Sequence, residues 1–88
     1  MQMDSYRVEF TRSAEKDLRR IDKSRVPTIY DEIERLAVDP RPHGVKKLAG
    51  ADRTYRIRVG DYRVVYEIED NVLLVLVIRV AHRKDVYT

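Results

Sequence analysis

Cysteine is absent from this 88-residue chain, and so is tryptophan. Without cysteine there are no disulfides, thiolate nucleophiles or thiolate metal sites, and the composition suits a reducing compartment, so a cytoplasmic location is expected. Histidine occurs twice, as His43 and His82. Neither stands in a motif with serine, which excludes a recognisable nucleophilic triad. Two separated histidines also make a poor metal site, so neither a metal nor another cofactor is expected. The three glycines, Gly44, Gly50 and Gly60, are too scattered for a phosphate-cradling loop. No carboxylate pair stands out for acid–base work; Glu67, Glu69 and Asp70 read as a solvated hairpin end. Long apolar runs are missing too. The longest, Val72 to Ile78, falls far short of the roughly 20 residues of a membrane helix. Met1-Gln2-Met3-Asp4 shows no basic stretch leading into an apolar one, so neither a signal peptide nor a membrane partner is expected.

What the chain does have is a run from Tyr55 to Tyr66 that alternates on both sides of Gly60-Asp61. That dipeptide suits a two-residue primed turn. The register follows: Val59 opposite Tyr62, Arg58 opposite Arg63, Ile57 opposite Val64, Arg56 opposite Val65 and Tyr55 opposite Tyr66. One face collects Tyr55, Ile57, Val59, Tyr62, Val64 and Tyr66. The other sets Arg58 against Arg63, with Arg56 beside them. Like charges directly opposite on a sheet destabilise it, so this face is expected to meet an anion.

Charge is distributed to match. Residues 1–45 carry nine basic and nine acidic side chains, whereas residues 46–88 carry nine against six, which accounts for the net +3. Within 46–63, Lys46, Lys47, Arg53, Arg56, Arg58 and Arg63 face only Asp52 and Asp61. A local cationic patch of this kind is the footprint of a polyanion partner.

The rest of the chain reads as one domain, 1–88, with a modest core. Tyr6 to Phe10 alternates as a strand. Thr11 is a helix N-cap, followed by Ala14, Leu18 and Ile21 at helical spacing. Asp22-Lys23-Ser24 breaks the pattern, and Pro27 fits the first turn of a second helix. Val26, Ile29, Ile33, Leu36 and Ala37 form its apolar stripe, ended by Asp39-Pro40. Arg41 to Ala51 reads as a loop whose Leu48 anchors in the core. Val72 to Val80 is apolar at almost every position, as in a strand covered on both faces. Arg79 interrupts the odd-numbered face of that strand, which also carries Leu73, Val75 and Val77. The order β-α-α-β-β-β predicts an α+β domain, its N-terminal αα-hairpin packed on one face of a largely antiparallel twisted sheet. The arginine face is then open.

Arginines, lysines, one histidine and one tyrosine can hold RNA phosphates and stack on bases. They can also stabilise the phosphorane of an RNA cleavage in which a 2′-hydroxyl is the nucleophile, for which the protein supplies orientation and charge.

Lys46-Lys47-Leu48-Ala49-Gly50, the Tyr55–Tyr66 hairpin and His82-Arg83-Lys84-Asp85-Val86-Tyr87 together resemble the RelE/ParE toxin superfamily, over essentially the whole chain. The resemblance implies a type II toxin: a ribosome-dependent messenger RNA endonuclease that cuts the A-site codon by 2′-hydroxyl attack and forms a hetero-oligomer with a RelB-like antitoxin. Carried over by position, it implies that Arg58 and Arg63 stabilise the transition state, that Arg83 assists the leaving 5′-oxygen, that His82 shares this acid work, and that Tyr87 stacks on the substrate. Lys46, Lys47, Arg56, Arg79 and Lys84 are implied as RNA-binding positions. The chain departs from the best-understood relatives at Arg56 and Arg58, where they carry lysine; arginine essentially never gives up its proton. ParE-like inhibitors of DNA gyrase share the fold, so the resemblance implies that target as the alternative.

Overall fold

The structure, a computed structural model, describes residues 5–86. The elements run β1 (Arg7–Phe10), α1 (Arg12–Arg20), α2 (Val26–Arg35), β2 (Lys46–Lys47), β3 (Thr54–Val59), β4 (Tyr62–Glu69), β5 (Leu74–His82) and the short α3 (Arg83–Val86). The five strands form one sheet in the order β1-β5-β4-β3-β2. Only β1 and β5 pair in parallel; the other three pairings are antiparallel.

The hairpin has the register that its alternation predicts, from Val59–Tyr62 to Tyr55–Tyr66. Gly60 has φ +60 while Asp61 stays at negative φ. A positive φ at the first central residue alone is the II′ arrangement, whose twist matches the flanking strands. Thr11 caps α1 as expected, its hydroxyl accepting from the Ala14 N–H at 3.1 Å. Pro27 lies in the first turn of α2. That helix ends at Arg35, ahead of Asp39-Pro40, and Leu36 to Val38 continue as turn.

Alternation puts Ile57, Val59, Val64, Tyr66, Ile68, Val75 and Val77 on one sheet face, and there they bury Ala14, Leu18, Ile21, Ile29, Ile33 and Leu36 from the two helices. Each fully buried aliphatic side chain contributes about 1.5–3 kcal/mol. Val45, rather than Leu48, is the residue of the Arg41–Ala51 loop that packs against this core. Part of the loop also forms β2, two residues long and too short to leave a periodic signal.

The last strand departs most from its sequence pattern. Asp70–Val72 is a turn of 3-10 helix, and Leu73, at φ +51, precedes the strand. Val72 and Leu73 are exposed. Within β5 the pairing steps from Tyr66–Val77 to Val65–Arg79, so Ile78 is an extra residue, a bulge. The bulge inverts the alternation: Val80, not Arg79, follows Val77 into the core.

A polar network closes the end of the sheet opposite the hairpin tip. The Arg41 guanidinium donates to both Asp70 oxygens, at 3.3 and 2.8 Å, and Tyr6 donates to the same carboxylate. Arg41 also lies 5.3 Å from the centroid of the Tyr55 ring. Beneath it, the buried Tyr66 hydroxyl donates to the Pro40 carbonyl at 2.7 Å. Asp70 is therefore not simply solvated, nor is Glu69, which accepts from Arg53 at 2.7 Å. The bonds from Arg41, and then from Tyr6, hold the Asp70 carboxyl below the usual carboxylate range. A depressed folded-state pKa gives stability that is complete above the unfolded value of about 3.9 and is lost as pH falls through the folded value. Urea midpoints of the wild type are thus expected to fall more steeply below about pH 4 than those of Asp70→Asn. Parallel curves would contradict the assignment.

Candidate nucleic-acid interface

Among the described residues, no helix packs on the second face of the β2-β3-β4 region as α1 and α2 pack on the first. Pairing places Lys46 opposite Arg56 and Arg58 opposite Arg63, so two like-charged pairs lie side by side there. They line an open depression of about 250 Å³ together with Gly44 and Ile57. Arg58 bends toward the turn, its Nε 3.3 Å from the Gly60 carbonyl. Arg63 is half-buried between its neighbours. Guanidinium groups held in this way present fixed donors to a phosphate, and arginine matches that geometry through two parallel N–H bonds.

Arg83 stands at the hairpin tip. Its backbone N–H donates to the Asp61 carbonyl at 2.8 Å, and its Nε lies 3.9 Å from Asp61 Oδ1. The latter is an exposed pair of little energetic weight. Lys84 is exposed in α3. Lys47 pairs with Tyr55, a residue of the core face, so the pleat separates it from Lys46 and Arg56.

One residue that a regular strand would place on the arginine face is elsewhere. A regular β5 would have put His82 there; the Ile78 bulge instead pairs it with Tyr62 on the helix side. The two rings meet edge to face, 5.3 Å between centroids. Arg79, in register with Val65, is held at the strand edge by Asp17: its Nε and Nη2 donate to the Asp17 carboxylate at 2.8 and 3.3 Å. The same carboxylate accepts the Val80 N–H at 2.8 Å. Asp17 is thus the buried acid that fastens α1 to β5, a role the sequence analysis missed. The signal was present: Ala14, Asp17, Leu18 and Ile21 share one helix face, so a charge on that stripe needed a partner. Tyr87 lies outside the described residues. Among those residues, no group of three or more His, Asp or Glu could hold a metal ion, and no helix is long and apolar enough to cross a membrane.

The family described as the ParE toxin of the type II toxin-antitoxin system, parDE, matches residues 8–87. The chain belongs to the RelE/ParE family of type II toxins. Toxin RelG of Mycobacterium tuberculosis is 33% identical over 86 residues, covering 93% of this chain and 95% of the relative. Among solved structures, the toxin-antitoxin complex RelBE2 of M. tuberculosis contains a chain that aligns at a TM-score of 0.82 and 30% identity, covering 93% of this chain and 95% of that one. The intact E. coli RelBE toxin-antitoxin complex aligns at 0.78 and 26% identity, covering 89% and 96%. These RelE likenesses extend over the helical hairpin and the sheet, so the open arginine face belongs to a RelE-like toxin fold.

Proposed function

We propose that this toxin is a messenger RNA endonuclease that acts on translating ribosomes in the cytoplasm and is neutralised by a RelB-like antitoxin. The observation that carries the reading is the opposition of Arg58 and Arg63 on an uncovered sheet face, with Lys46 and Arg56 alongside. A sheet keeps such pairs at a cost, and a polyanion relieves it.

In the proposed reaction the 2′-oxygen of one nucleotide attacks the adjacent phosphorus. The bond to the 5′-oxygen breaks, leaving a 2′,3′-cyclic phosphate and a 5′-hydroxyl. Arg58 and Arg63 stabilise the phosphorane charge, a contribution worth about 10²–10³ in rate per well-placed donor. Lys46 and Arg56 hold the flanking backbone. Arg83, at the tip, stabilises the charge on the leaving 5′-oxygen, which takes its proton from solvent, with Tyr87 stacking on the substrate and Lys84 adding charge. Neither Arg56 nor Arg58 serves as general base, because a guanidinium does not deprotonate in the working range. His82 faces α1 and is not assigned acid work here, so the 2′-proton leaves to solvent or to the ribosomal complex.

Primer extension on messengers from cells expressing the toxin tests this directly. Cuts in frame with translation are expected, and their suppression by co-expression of a RelB-like antitoxin. Growth arrest without cleavage would overturn the reading. The match to the ParE family description favours one second reading, inhibition of DNA gyrase. Loss of supercoiling by purified gyrase at stoichiometric toxin, with messengers intact, would establish it instead.

A further inference from the structure

A second groove, between α1 and the end of β5, takes no part in the reaction above. It has a volume of about 360 Å³, and Asp17, Arg20, Ile21, Tyr62, Arg79 and His82 line it. Its one carboxylate is already engaged, since Asp17 accepts two bonds from Arg79 and one from the Val80 N–H. The remaining charged and ring side chains can all donate. Arg20, exposed in the last turn of α1, makes no ion pair among the described residues. Arg79 is pinned by Asp17 yet its side chain stays 55% exposed, so part of its guanidinium remains available. His82 Nδ1 accepts the Lys84 N–H at 3.2 Å, so the neutral ring carries its proton on Nε2 and can donate it. Tyr62 and Ile21 supply a flat apolar wall. Cationic donors beside an aromatic surface suit a phosphodiester and its base.

The groove and the arginine face lie on the two sides of one strand edge. Strand β1 pairs only with Leu74–Val77. Beyond it, Thr11 and Asp17 cover the edge of β5 as far as Val80, through bonds to the Val77 and Ile78 carbonyls and the Val80 N–H. At the edge that follows, Ala81 pairs with Arg63 on the arginine face and His82 pairs with Tyr62 on the helix side. The geometry points to a binding track for single-stranded RNA: a strand lying on Arg56, Arg58 and Arg63 turns around Ala81–His82 and sets a flanking phosphate between Arg20 and Arg79, its base against Tyr62. The track rests on the RNA-binding reading of the arginine face and extends it to nucleotides outside the cleaved step.

Fluorescence anisotropy with 2′-O-methyl RNA, which lacks the attacking hydroxyl, tests the track on the purified toxin. A tetranucleotide reaches the arginine face alone; a dodecanucleotide reaches both. Arg20→Gln is expected to weaken dodecanucleotide binding about fivefold and to lower the slope of log affinity against log salt by about 0.7, the loss of one phosphate contact. Tetranucleotide binding should not change. Arg20→Glu should weaken the dodecanucleotide further, with thermal melts of both variants matching the wild type. Arg20 variants that weaken neither oligonucleotide, or both equally, would overturn the track. Arg58→Gln should weaken both; if it weakens neither, the arginine-face reading fails, whatever Arg20 does.

Discussion

Arg63→Ala is expected to slow messenger RNA cleavage on programmed ribosomes by about 10²–10³-fold, the usual loss when one preorganised donor to a transition-state charge is removed. The loss should fall on kcat, with KM little changed, because Lys46, Arg56 and Arg58 remain to hold the backbone. Arg63→Lys should lie between, since it keeps the charge and loses the two-pronged geometry. The fold should survive, because the Arg63 position faces away from the core. Single-turnover cleavage on stalled ribosomes, with circular dichroism as the control for folding, measures both quantities. An Arg63→Ala toxin that cuts within about threefold of the wild type, well inside the expected loss, would remove this residue from the chemistry.

Asp17→Ala should produce the largest stability loss among polar substitutions. It removes three bonds at once and leaves the Val80 N–H, at a buried position, without its acceptor. Hydrogen bonds to charged groups, and buried donors left unmade, each cost about 1–3 kcal/mol. Because Arg79 can turn to water, the expected total is about 2–3 kcal/mol rather than the sum of all three. Asp17→Asn should lose less, because its amide oxygen still accepts from Val80. Urea denaturation measures the difference, and hydrogen exchange at the Val80 amide locates it. Unchanged exchange there would show that α1 is fastened to β5 by packing alone. The consequence reaches beyond stability, since β5 leads directly into Arg83.

The hairpin was legible because two independent signals agree there: strict alternation on both arms, and a glycine where a positive φ is needed. The two helices were legible from Thr11, Pro27 and their apolar stripes. Other features were not. A two-residue strand such as Lys46–Lys47 has no period, so its pairing with β3, which brings Lys46 to the depression and turns Lys47 away, is settled only by contact. The Arg41–Asp70–Tyr6 network joins residues far apart in sequence, and no local pattern announces it.

By itself, then, the chain determined that two arginines would stand opposite each other on a strand pair and that residues 46–63 would carry an excess of positive charge. Both follow from the period of two and from a turn of set length, which are local properties. Which other side chains share that face was decided by tertiary structure. A single extra residue, Ile78, changes the parity of everything after it. It carries His82 to the helix side and brings Val80 into the core, while Asp17 holds Arg79 at the edge. Nothing in the local sequence marks that bulge, because isoleucine suits a regular strand equally well. It exists because Val80 fills the core opposite Val64 while Asp17 captures the Val80 N–H, and both interactions require the whole sheet and α1 to be in place.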